Sequence, residues 1–196
     1  METLFERHLE YLSDVPTSFE RELMKTIDWD SRLILIRGPK GVGKSTLMLQ
    51  YILKNYGVSD RHVLYCSADT GYFTTHTLVD TAAAFVRQGG THLFIDEIHK
   101  YDGWSKQIKE IYDLFKHLKV VLSGSSLIQL NDGKADLSRR QDIYDMPGLS
   151  FREYIWFRTG KAQISDEDMG KAALAVDNID MAAGNKIPLW AFGFLY

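Results

Sequence analysis

The chain has 196 residues, of which 45% are hydrophobic and 25% charged, and its net charge is −3. That suffices for one buried core with a small appendage and is too little for two full α/β lobes. The charge is not the footprint of a dedicated nucleic-acid binder. A single cysteine, Cys66, excludes an internal disulfide and any cysteine-based zinc cluster.

Leu4, Phe5, His8, Tyr11 and Leu12 recur at helical spacing and predict a leading helix before Pro16. A second helix is expected over Phe19 to Ile27. Leu33-Ile34-Leu35-Ile36 is a continuous apolar run ending at Gly38, as in a strand buried on both faces. Leu47, Met48, Tyr51 and Ile52 then mark one face of a helix stopped by Gly57. The alternation repeats. Val63 to Ser67 reads as a strand, and Leu78, Val79, Ala82, Phe85 and Val86 as a helical stripe closed by Gly89-Gly90. His92 to Asp96 is the third strand, Ile108 to Phe115 the next helix, and Val120 to Ser123 the fourth strand. Asp142 to Met146 is a short fifth, stopped by Pro147-Gly148. Ser150-Phe151-Arg152-Glu153 has capping-box spacing and opens a helix through Phe157.

Strands and helices alternating in this way predict parallel β-α units with helices on both faces of the sheet. Right-handed crossovers place all strand C-termini on one edge, where open α/β sheets bind their ligands. The charged start at Met1-Glu2-Thr3 predicts no signal peptide. The longest apolar run, Ile187 to Tyr196, falls far short of the roughly 20 residues that cross a bilayer. The expected location is therefore cytoplasmic, with no membrane partner.

Gly38-Pro39-Lys40-Gly41-Val42-Gly43-Lys44-Ser45 satisfies every fixed position of G-x-x-x-x-G-K-[ST], and it sits between an apolar strand and an amphipathic helix. The glycines let main-chain N–H groups converge on phosphate oxygens, and the helix adds its N-terminal partial charge. Residues 38–46, through Thr46, are thus expected to cradle a nucleotide triphosphate. Lys44 is expected on the β- and γ-phosphates, and the Ser45 hydroxyl on Mg²⁺. Leu93-Phe94-Ile95-Asp96-Glu97 is an apolar run ending in two carboxylates, which is costly unless they face something cationic. Asp96 is expected to hold Mg²⁺ through water, and Glu97 to polarise the attacking water as general base.

Ser123 and Ser125, at the fourth strand tip, are the candidate sensors of the γ-phosphate, with Ser123 preferred. Arg139 and Arg140 are candidates for positive charge supplied in trans to a neighbouring subunit's transition state. His99 reads as a supporting or packing residue. His92, His99 and His117 do not share a helical face, so metal binding by histidines is not expected.

A GTPase reading fails because N-K-x-D is missing: Asn185-Lys186-Ile187-Pro188 stops short. Asp145-Met146-Pro147-Gly148 imitates D-x-x-G, but it comes after the strand that already carries Asp96. Asp96-Glu97-Ile98-His99 spells the D-E-x-H of helicases, and Ser123-Gly124-Ser125 looks like their serine-alanine-threonine element. That reading survives only for a fragment lacking the second lobe. The phosphate loop, Phe94 to Tyr101 with Trp104, Leu122 to Ser126, and Leu137-Ser138-Arg139-Arg140 leading to Leu149 to Tyr154 together carry a more particular likeness. In these segments the chain resembles a large prokaryotic family of AAA-domain ATP-binding proteins. The resemblance implies a three-layer P-loop fold with a five-stranded parallel sheet of order 5-1-4-3-2 and Mg-dependent ATP binding with hydrolysis. It also implies a sensor at Ser123 or Ser125, and it strengthens the case for Arg139 and Arg140.

The expected organisation is an ATPase domain over residues 1–160, led in by residues 1–30, and an incomplete C-terminal or lid segment over 161–196. Members of the family usually continue into a second domain often thought nuclease-like or DNA-associated. Here the apolar end at Ile187 to Tyr196 is expected either to reflect a missing domain or to dock on another subunit. DNA stays open as a partner without support from charge. Two functions follow: an ATPase that remodels a macromolecular partner, or a nucleotide-controlled binding module with little or no hydrolysis.

Overall fold

Alternate residues of a strand point to opposite faces, so a strand apolar at every position needs a covering layer on each side. The computed structural model shows this arrangement over the residues it describes, which are 1–125, 137, 139–160, 165, 167 and 170. Five strands, Leu33–Gly38 (β1), Val63–Ser67 (β2), His92–Asp96 (β3), Lys119–Ser125 (β4) and Asp142–Asp145 (β5), form one sheet in the order β2-β3-β4-β1-β5. Every pairing is parallel. Both the fold class and the strand order are those the resemblance implies.

Leu33 and Leu35 of β1, with Leu64, Leu93, Ile95, Val120 and Leu122, build one core against helices Leu78–Arg87 (α3) and Trp104–Leu114 (α4). Ile34 and Ile36, with Val63, Phe94 and Val121, build the other against Lys44–Asn55 (α2). Burying a side chain such as Phe85 or Ile52 is worth about 1.5–3 kcal/mol before ordering costs. Helix Glu2–Ser13 (α1) lies against β2 at the sheet edge, placing Leu4 and Phe5 in the first core and Leu12 in the second. Its His8 is buried, and Nδ1 accepts the outward Tyr65 N–H at 3.0 Å, so the edge strand is capped there.

The helix expected over Phe19 to Ile27 is not formed; a single 3₁₀ turn, Glu22–Lys25, stands in its place. The backbone of this stretch is used otherwise. Gln50 of α2 donates to the carbonyls of Pro16 and Phe19 at 2.6 and 2.8 Å, and Arg21 is extended, with φ −67 and ψ 141. The capping box at Ser150 and Glu153 does open the last described helix, Phe151–Thr159 (α5). Ser126, Ser138 and the apolar run Ile187 to Tyr196 lie outside the described residues.

Register fixes what meets at the C-terminal edge. Gly38 stands opposite Ser125, Ile36 opposite Ser123 and Ser67 opposite Asp96. The ends of β1 and β5 come unusually close there: a Cβ built on Gly38 would lie 2.3 Å from the Met146 carbonyl oxygen. Only glycine fits.

Candidate nucleotide-binding site

The loop from Gly38 to Lys44 joins β1 to α2 at this edge. Gly41 and Gly43 have φ of 85° and 96°, a region that side chains avoid, so the main chain can curl there with its amides turned inward. Gly43 caps α2 without any side-chain hydrogen bond to the first turn. The helix amides therefore add their partial positive charge to the loop mouth. Lys44 is buried, and its ammonium donates to the Gly38 and Pro39 carbonyls, each at 2.9 Å. Burial lowers its pKa from the ordinary lysine value, while the Glu97 and Asp96 carboxylates act in the opposite direction.

Asp96 ends β3 and is buried. Its Oδ2 accepts from the Tyr65 hydroxyl at 2.7 Å, and its Oδ1 accepts from the Ser123 hydroxyl. The Ser45 side chain lies near the same hydroxyl and acts to lower its pKa. Burial and the adjacent Asp96 push the Tyr65 pKa far up, so it remains a donor at any physiological pH. One phenol thus neighbours both the hydroxyl and the carboxylate expected to hold Mg²⁺. Oxygen-only donors, few in number and with one carboxylate, are what a nucleotide-borne Mg²⁺ takes. The residues fit the ion. Among the described residues no cluster of three or more His, Cys, Asp or Glu offers a self-contained metal site.

Ser123 is fully buried, and its oxygen also accepts the Glu97 N–H at 3.1 Å. Its hydroxyl is taken by the Asp96 carboxylate and the Glu97 main chain rather than by open solvent. Glu97 is the one described non-glycine residue with positive φ, at 52° with ψ 39°. A left-handed carboxylic residue at a strand tip is local strain of the kind that collects at working sites. Its Oε2 lies 3.4 Å from His99 Nε2, while His99 Nδ1 accepts the Ser125 N–H at 3.4 Å. With Nδ1 accepting, the ring proton sits on Nε2 and points at Glu97. A continuous polar chain therefore runs from Tyr65 through Asp96 and Ser123 to Glu97 and His99.

The fold brings Gly38 to Ser45, Asp96, Glu97, Ser123 and Ser125 to one edge. It does not bring the arginines there. Arg140 lies two residues before β5, at the opposite edge, with Nε 3.7 Å from the Asp113 carboxylate and its guanidinium 6.0 Å over the Tyr112 ring. Arg139 is exposed beside it. Neither reaches the phosphate loop of its own chain.

Two participants were not legible as such. Tyr65 looks like ordinary strand filler in Val63 to Ser67; the only hint is a polar tip in a strand two places before its end. Arg21 is remote in sequence, yet its guanidinium donates to the Val42 carbonyl of the phosphate loop at 2.7 Å.

A β1–glycine loop–α2 unit with an acid pair on the strand next but one in the sheet defines a P-loop nucleotide-binding protein of the ATPase type. The particular family follows from comparison: the AAA domain model matches residues 30–155, and the chain belongs to that family. No curated protein matches it. Among solved structures, that of PCH-2 from C. elegans is similar at 15% identity and a TM-score of 0.42, covering 85% of this chain. The match takes in 50% of the PCH-2 chain, so this chain spans about half the length of that relative. Among the described residues no helix is long and apolar enough to cross a membrane.

Proposed function

We propose that the chain binds ATP with Mg²⁺ and hydrolyses it, coupling turnover to a macromolecular partner. The observation that carries this reading is the strained, carboxylate-bearing tip of β3 beside a phosphate loop whose lysine ammonium is held by two loop carbonyls. Residues 38–46 would bind the phosphates through main-chain N–H groups, with Lys44 exchanging its two carbonyl partners for β- and γ-phosphate oxygens. Ser45 and Asp96 would hold Mg²⁺, which, when bound, neutralises phosphate charge and orients the triphosphate. Glu97 would accept the proton of a water whose oxygen bonds to the γ-phosphorus, as the bond from phosphorus to the β,γ-bridging oxygen breaks and ADP leaves. Ser123 would act by fixing Asp96 and Glu97, and Ser125 by fixing His99. Arg139 or Arg140 would serve only a neighbouring subunit, since each lies away from its own loop.

Glu97→Gln should bind MgATP as the parent does and lose turnover by roughly two orders of magnitude or more, the scale of a general base. Phosphate release in the variant equal to that of the parent would remove Glu97 from this role. The 3.4 Å approach of His99 to Glu97 favours a second reading, in which the base is held back and ATP occupancy alone orders a partner surface. Steady-state phosphate release at rising protein concentration separates the two. Turnover that climbs with concentration supports hydrolysis with an arginine in trans. Absent turnover with intact binding supports the binding module.

A further inference from the structure

Arg21 is 6% exposed and is held on every side. Its Nε pairs with Glu153 Oε1 at 2.9 Å, Nη1 donates to the Val42 carbonyl at 2.7 Å, and Nη2 donates to the Pro147 and Gly148 carbonyls at 2.8 and 2.9 Å. Glu153 is equally buried and accepts the Glu22 and Ser150 N–H groups at 2.9 and 2.8 Å. Burial alone would raise the Glu153 pKa, but those two amides and the Arg21 guanidinium hold it below the usual carboxylate value. The arginine is thus a fixed cation, clamped from the lead-in segment, the turn after β5 and the start of α5.

The contact with Val42 has a consequence for the phosphate loop. The peptide unit between Val42 and Gly43 is planar and trans, so its C=O and N–H point in opposite directions. Fixing the carbonyl outward on a buried guanidinium fixes the Gly43 N–H inward. Among the described residues no main-chain acceptor takes that N–H. Donation from a charged group to the carbonyl also polarises the amide and strengthens its own donor. We propose that Arg21, locked by Glu153, is a positioning residue that aims the Gly43 amide at the bound phosphates. This rests on the nucleotide-binding reading above. A side chain that merely tied the lead-in segment to α5 would need Glu153 and the Pro147 and Gly148 carbonyls, but not Val42.

The test is calorimetry with MgADP and with pyrophosphate on the full chain, combined with the ¹H–¹⁵N resonance of Gly43. Arg21→Met alone would leave Glu153 as an unpaired buried charge, so the variant is Arg21→Met with Glu153→Gln. It should bind both probes roughly tenfold more weakly, the scale of losing one aligned charge-assisted contact. The Gly43 amide should shift, while those of His92 and Lys119 at the far sheet edge stay in place. Arg21→Lys keeps the charge against Glu153 but cannot span Val42 and the Pro147–Gly148 carbonyls together. It should weaken both probes in the same direction, which keeps the test decisive if the double variant does not fold. Affinity within twofold of the parent and an unmoved Gly43 amide in either folded variant would overturn the assignment alone. A parent chain that binds neither probe would overturn the nucleotide reading and this inference with it.

Discussion

Ser123→Ala separates a clamp from a sensor. The serine hydroxyl is fully buried, donates to Asp96 and accepts the Glu97 N–H. Alanine leaves an amide donor and a carboxylate oxygen without their partner and opens almost no volume. The loss should be about 1–3 kcal/mol of stability, because a buried group stripped of its partner retains its desolvation cost. For a chain of this size that lowers Tm by roughly 3–10 °C. The same hydroxyl helps hold Glu97 in a left-handed conformation that costs about 1–2 kcal/mol, so its removal lets Glu97 relax away from its post. Each 1.4 kcal/mol is about a factor of ten in rate, so turnover should fall roughly 5- to 30-fold. The ratio of MgATP to MgADP affinity should not change, since the hydroxyl has no open path to a γ-phosphate. Thermal unfolding, phosphate release and calorimetry read the three quantities. An unchanged Tm with a collapse of the ATP-to-ADP affinity ratio would refute this reasoning and make Ser123 a direct reader of the γ-phosphate.

Two further predictions concern how the site is held. Burial lowers the His8 pKa to about 4 from 6.5, so the unfolded chain takes up the proton first as pH falls. The corresponding stability is complete above pH 6.5 and is lost on descending to about 4, amounting to about 3 kcal/mol at most; His8→Gln should flatten the pH dependence of urea unfolding by that amount within this window, and an unchanged slope would show that His8 is not held neutral. Gly38→Ala would drive a methyl group into the Met146 carbonyl, 2.3 Å away, and backbone cannot step aside as a side-chain tip can; a loss of about 1–3 kcal/mol is expected together with weaker MgATP binding, whereas parent-like unfolding and binding would mean that the β1 and β5 ends are not in contact.

Much of this was legible because periodicity and local chemistry agree. The run Leu33 to Ile36 with its glycine loop gives strand, turn and helix from one stretch, and Asp96-Glu97 marks the partner strand tip. The capping spacing at Ser150 and Glu153 was readable for the same reason: it is a local rule. What was hidden is non-local. Glu153 reads as a cap, but its second use against Arg21 joins residues 132 apart, and no pattern in the chain announces such a pair. Phe19 to Ile27 has helical spacing yet forms only one turn, because Gln50 and the Arg21 network hold the segment extended, a tertiary override of propensity. Ser123 was recognised as polar at a strand tip, but only the register between β3 and β4 shows that it faces the acids.

The central claim is that the loop from Gly38 to Ser45, with Lys44, grips a magnesium-bound nucleotide triphosphate. Isothermal titration of the folded chain with MgATP, repeated on Lys44→Ala, tests it most directly. A saturable one-site heat in the parent that is lost in the variant, with both proteins equally folded, is the expected result. No heat in the folded parent, or the same heat in both proteins, would contradict it.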